Sequence, residues 1–143
     1  ESGLQARKIG AFQQLLVAAP ALASKVARLK RPEEIAALPF VANTALRDPA
    51  RWQFTSSDGQ RKTVTVHPSI LLDATLAVRE AVIHGAGLSV LPDYAIAQDL
   101  AAGRLIPVLP TWRLPAGGIH AVFPSARFRP AKVRAFVDML MER

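Results

Sequence analysis

Apolar and polar positions along the chain follow two periods, near two in some stretches and near 3.6 in others, which predicts a mixture of strands and helices. Residues 12–18 read as a strand closed by Pro20, and residues 22–27 as a short helix before a basic turn. Pro32 opens a second short helix, where Glu33 and Glu34 suit the positive N-terminal end. Phe40, Val41 and Ala42 read as a short buried strand, followed by a loop over 43–49. Residues 52–55 and 63–66 form a predicted hairpin. Its turn chemistry is Ser57-Asp58-Gly59, and Val64 and Val66 face away from Thr63 and Thr65.

Helical spacing dominates next. Asp73 is the predicted N-cap of a helix that reaches His84, with Gly85 as its left-handed stop. At about 100° per residue, Leu71, Thr75, Val78 and Val82 make one stripe, Leu72, Leu76 and Ile83 lie beside it, and Asp73, Glu80 and His84 fall opposite. Residues 87–92 read as a buried strand. Asp93 is expected to cap a helix that stops at Gly103. Residues 105–109 read as an edge strand, because Pro107 cannot donate to a ladder. A strand over 119–123 and a helix from Pro130, with Val133, Phe136, Val137 and Leu140 on one face, complete the series. Strands interleaved with helices give the α/β class.

Composition then narrows the function. The chain has 143 residues, half of them hydrophobic, enough for one domain with its own core. It has no cysteine, which excludes disulfides and thiolate chemistry. No apolar run approaches the roughly 18 residues of a membrane span, and Glu1 to Arg7 lacks a signal-peptide core, so a cytoplasmic setting without membrane contact is expected. The opening lacks an initiator methionine, as in a piece of a longer protein. The net charge of +7 is scattered over Arg28, Lys30, Arg31, Arg127, Arg129, Lys132 and Arg134, among few aromatics. That favours a solvated surface over direct nucleic-acid contact.

Signals for catalysis are lacking. His67, His84 and His120 have no HxxxH or HExxH spacing, so no metal is expected. Ser89 lacks the second glycine of a nucleophile elbow. Gly85-Ala86-Gly87 precedes a strand and does not open a helix, unlike a dinucleotide fingerprint. Neither enzymatic activity nor a cofactor is expected. Trp52 and Trp112 read as packing residues, and Arg79 as a snorkelling or acid-paired arginine, the alternative being a partner for an anionic ligand.

Three stretches carry a family resemblance. The first runs from Ala77 through Gly85-Ala86-Gly87, Leu91-Pro92 and Tyr94, and on from Asp99 through Gly103-Arg104-Leu105 to Pro110. The second joins Pro124-Ser125-Ala126-Arg127 to Pro130 through Asp138, and the third is Ser2 to Gly10. In this order they resemble the effector-binding domain of LysR-type transcriptional regulators, in register over essentially the whole chain.

The resemblance implies a type 2 periplasmic-binding-protein-like fold, its second lobe complete and its first lobe partial. The second lobe is expected over 12–120, with 1–11 and 121–143 as remnants of the first. It implies a small, anionic effector held between lobes, DNA contact through a winged helix-turn-helix outside this chain, and a homodimer or homotetramer. A fragment of a periplasmic solute-binding protein is the alternative. Effector contact is expected from Asn43 and Thr44 in the loop after the strand at 40–42, from Gly87 and Ser89 bordering the strand at 87–92, and from Phe123. Each has a plainer reading: turn capping for Asn43 and Thr44, strand-entry geometry for Gly87 and Ser89, core packing for Phe123.

Overall fold

The structure of the chain, a computed structural model, describes residues 5–123 and residue 139. Two compact units divide these residues: 5–12 with 116–123, and 13–115. In the first, β1 (Gln5–Phe12) pairs antiparallel with β9 (Gly117–Phe123).

The second unit is built on short buried strands. β2 (Gln14–Ala18) lies between β7 (Ser89–Pro92) and β8 (Ile106–Pro107), antiparallel to both. β3 (Val41–Asn43) runs parallel to β6 (Ile70–Leu72), and a parallel bridge from Phe40 to Leu88 brings β3 beside the start of β7. β4 (Arg51–Thr55) and β5 (Arg61–Thr65) form the hairpin. The helices are α1 (Ala23–Val26), α2 (Thr75–Ile83) and α3 (Asp93–Ala102).

Alternation along the strands sorts side chains to two cores. Leu16, Ala18, Phe40, Ala42 and Val90 pack on one face with Trp52, Phe54 and Val64 of the hairpin. Their neighbours Val17, Val41 and Leu91 pack on the other with Val78, Val82, Ile96 and Leu105. Strands buried on both faces read as continuous apolar runs, which is why these segments lack a polar phase.

Several expectations hold. Gly85 and Gly103 end their helices at φ 85° and 78°. Pro107 sits on an edge strand, though the strand is only Ile106–Pro107. Trp52 is buried. The helix expected from Pro32 is a 3₁₀ turn, Pro32–Ala37, and Glu34 accepts from the N–H groups of Lys30 and Arg31 at 2.6 and 2.9 Å.

Others change. The strand expected at 12–18 is split at Gln13 into β1 and β2. β6 was not expected, since three residues are too few to show a period. Asp73 caps nothing by its side chain: α2 starts at Thr75 behind Ala74. Asp93 is the first residue of α3, and its Oδ2 accepts from Gln13 N–H at 3.3 Å, tying helix to strand. Within the expected apolar stripe Val78 and Val82 are buried, but Leu71, and Leu76 beside the stripe, are 63% and 68% exposed. The helix expected from Pro130 lies outside the described residues.

The approach of β3 to β7 depends on Gly87. Its φ is 153°, and a Cβ there would meet the Pro39 carbonyl oxygen at 2.6 Å. Replacing Gly87 by alanine adds both strain and a backbone clash, and is expected to lower unfolding stability by about 2 kcal/mol or more. Urea unfolding of the variant beside wild type checks this; unchanged midpoints would contradict the close contact.

Candidate functional site

β3, β6 and β7 run in the same sense, so their carboxyl ends share one edge of the second unit. In open α/β sheets ligands bind outside that edge. Here the chain leaves β3 through Asn43 and Thr44 and leaves β6 towards the N-terminus of α2. The buried Asn43 is engaged at both ends of its amide: Oδ1 accepts from Ala45 N–H at 3.0 Å, and Nδ2 donates to Thr75 Oγ1 at 3.4 Å. Thr44 is exposed; its N–H donates to the Leu72 carbonyl at 2.7 Å and its hydroxyl donates to the same oxygen at 3.2 Å. Its hydroxyl oxygen still has lone pairs to offer. The first N–H groups of α2 have no partner within the helix, and they place partial positive charge beside Asn43 and Thr44.

Gly87 and Ser89 sit at the opposite, amino end of β7, and both are buried. The Ser89 hydroxyl donates to the Val41 carbonyl at 2.6 Å, which fastens β3 to β7. Phe123 is buried in the other unit, at the end of β9. Among the residues singled out from the sequence, Asn43 and Thr44 therefore share the carboxyl edge. Gly87 and Ser89 support the strand that leads to it.

A hollow of 480 Å³ opens on the second unit, lined by Gln14, Leu46, Asp48, Arg51, Trp52 and Pro115, among others. Gln14 Nε2 donates to the Pro115 carbonyl at 2.6 Å and so closes one side. Arg51 is exposed and makes no ion pair within 4.0 Å among the described residues. Sequence reasoning missed this group. Alternation in β4 does put Arg51 and Gln53 opposite the buried Trp52 and Phe54, but nothing local tells that residues 14 and 115 meet.

Arg79 is not available to a ligand. Its Nε and Nη2 hold both carboxylate oxygens of Asp99 at 2.7 and 2.8 Å, and Nη1 reaches Glu80 at 2.7 Å. Arg104 Nε joins at 2.8 Å. Asp99 is 1% exposed, and the Arg79 hydrogen bonds hold its carboxyl below the usual range, against the effect of burial. Among the described residues no three His, Cys, Asp or Glu side chains gather as metal ligands, and no helix is long and apolar enough to cross a membrane.

The sequence profile of the LysR substrate binding domain matches residues 1–143. The chain is 42% identical over 142 residues to the HTH-type transcriptional regulator PtxR of Pseudomonas aeruginosa, covering 99% of the chain and 45% of that protein. It is 31% identical over 149 residues to an HTH-type transcriptional regulator of Xanthomonas campestris pv. campestris, covering 100% of the chain and 42% of that protein. Among solved structures it resembles the full-length virulence activator AphB of Vibrio cholerae, with a TM-score of 0.81, 29% identity, and coverage of 99% of this chain and 48% of that one. The regulatory domain of a C227S variant of AphB from Vibrio vulnificus superposes with a TM-score of 0.82 at 25% identity, covering 100% of this chain and 71% of that one. The chain spans about half the length of the curated relatives it matches.

The Asp99 cluster makes a pH-dependent prediction. Its carboxyl titrates lower in the folded chain than when unfolded, so its contribution is full above the unfolded value of about 3.9 and fades as pH falls through the folded one. Asp99→Asn is expected to cost about 2 kcal/mol or more at neutral pH, because Arg79 loses its buried partner. The gap from wild type should narrow below about pH 4. Chemical denaturation across pH measures it; a gap independent of pH would contradict the assignment.

Proposed function

Because the chain belongs to the LysR substrate binding domain family and has the α/β fold of that family's regulatory domains, we propose that it is the effector-sensing part of a cytoplasmic, DNA-binding transcription regulator. The relatives named above are transcription regulators, not periplasmic solute-binding proteins or enzymes. DNA contact belongs to a helix-turn-helix segment outside these residues. The sensor works by differential binding: a small molecule favours one arrangement of the regulator over another, and the populations shift without chemistry.

The observation that carries this reading is the polar carboxyl edge, together with an open hollow in the same unit that the loop after β3 lines through Leu46 and Asp48. Thr44 offers an exposed hydroxyl at the positive end of α2, and Asn43 fixes that end through Thr75. Arg51 supplies a cation without an ion pair among the described residues, on the wall of a 480 Å³ hollow. This combination suits a small metabolite bearing an anionic group. Gly87 and Ser89 serve the site by holding β3 in place.

Self-association as a homodimer or homotetramer completes the proposal. Leu71 on β6 and Leu76 on α2 are 63% and 68% exposed, and Tyr94 joins Leu76, with Arg79 and Gln98, around a 420 Å³ hollow. Large exposed apolar side chains rimmed by polar ones suit an interaction surface.

Two experiments test these statements. In a thermal-shift screen of the intact regulator against small carboxylates, phosphorylated metabolites and aromatic acids, a true effector at a hundredfold excess over its Kd adds about 2.7 kcal/mol of stability. Thr44→Val or Arg51→Ala should remove most of that gain; stabilisation unaffected by both would overturn the site. For assembly, sedimentation of Leu71→Glu/Leu76→Glu should shift the protein towards monomer, and an unchanged sedimentation coefficient would rule this face out.

A further inference from the structure

A further hollow, of 440 Å³, lies beside α1 at the end of β2 opposite Gln14. Val26 and Leu29 line it from one segment, Ile106 and Leu109 from another. All four pack on the core yet stay partly accessible. The lining carries two polar side chains, the Lys30 ammonium and the Thr111 hydroxyl, and no aromatic ring. Leu109 holds φ 49°, the one positive value at a non-glycine among the described residues. An L-residue is rarely found there unless its surroundings impose it, and such residues gather at ligand sites.

Charge points the same way. The two segments that build the hollow, 20–32 and 104–115, contain Lys25, Arg28, Lys30, Arg31, Arg104 and Arg113 and no acidic residue. Arg104 is held by Asp99; the other five make no ion pair among the described residues. The neighbouring Glu34 carboxylate is engaged by the backbone N–H groups of Lys30 and Arg31.

We propose that this hollow is a second small-molecule site, for a monocarboxylic acid with an aliphatic tail. The tail lies against Val26, Leu29, Ile106 and Leu109, and the carboxylate pairs with Lys30 within reach of Thr111. The volume falls within the roughly 300–1,000 Å³ of small-molecule sites, and an apolar lining with a few polar groups is their usual composition. One lining cation selects a single negative charge, and the absence of rings selects an aliphatic body. The inference is independent of the effector site at the carboxyl edge.

Titration calorimetry of sodium decanoate, below its micelle concentration, into the intact protein tests it, with hexanoate, octanoate and dodecanoate as a length series and decanol as the uncharged control. Decanoate should bind at one site per chain and more tightly than decanol. Lys30→Glu should weaken it about two- to fivefold, the range of an exposed ion pair. Ala27→Trp, on an exposed lining position, should fill the hollow and abolish binding, with the folded state checked by circular dichroism. Thr44→Val should leave decanoate binding intact, which separates this site from the carboxyl edge. No binding by any member of the series, or equal binding of acid and alcohol with no effect of either hollow variant, overturns the proposal. Capture of an acidic, leucine-bearing peptide by the hollow without any binding of alkyl carboxylates would also overturn it, in favour of a protein partner.

Discussion

The Ser89 hydroxyl donates to the Val41 carbonyl at 2.6 Å, and the Val41 N–H donates to the Leu88 carbonyl at 2.8 Å. Together these bonds seat β3 against the entry of β7, over a glycine that leaves no room for a Cβ. All three residues of β3 are buried, so any slack in this seat would displace Asn43 and Thr44 with it. The polar edge is therefore as rigid as the contact behind it. Ser89, which in isolation looks like a ligand group, spends its hydroxyl hydrogen on this seat.

The same logic holds on the helical side. Asp99 fastens α2 to α3 through Arg79 and takes up Arg104 from the loop after Gly103. A buried carboxylate needs such partners, because its desolvation would otherwise favour the neutral acid. The result is an α2 whose N-terminus keeps its place beside Asn43 while its outer face, at Leu76, remains open to another molecule. Under the proposed function this separation has a use: the end of α2 beside Asn43 would meet the effector and the side at Leu76 a neighbour, so that binding at the first is felt at the second.

What was legible in the sequence was local. The helix stops at Gly85 and Gly103, the hairpin around Ser57-Asp58-Gly59 and the edge position of Pro107 each follow from one residue's backbone limits. Asn43 and Thr44 enter as candidates only through the ordered series of elements that the chain shares with its family. The rest was non-local. Asp73 and Asp93 have the chemistry of caps, but α2 begins behind Ala74, and Asp93 answers to Gln13, eighty residues away. Leu76 counts as core on a helical wheel, yet no part of this unit covers it. Arg51 shows only an alternating strand, because its place on the wall of a hollow depends on Gln14 and Pro115, which help to enclose it.

Amide hydrogen exchange of the intact regulator, with and without a compound that stabilises it, tests whether the carboxyl edge held by β3 is where the effector acts. New protection is expected in peptides covering 43–48 and 73–77, with Val41 already among the slowly exchanging amides before ligand is added. Protection that leaves both segments unchanged, or a Val41 amide that exchanges as fast as the hairpin turn, would contradict it.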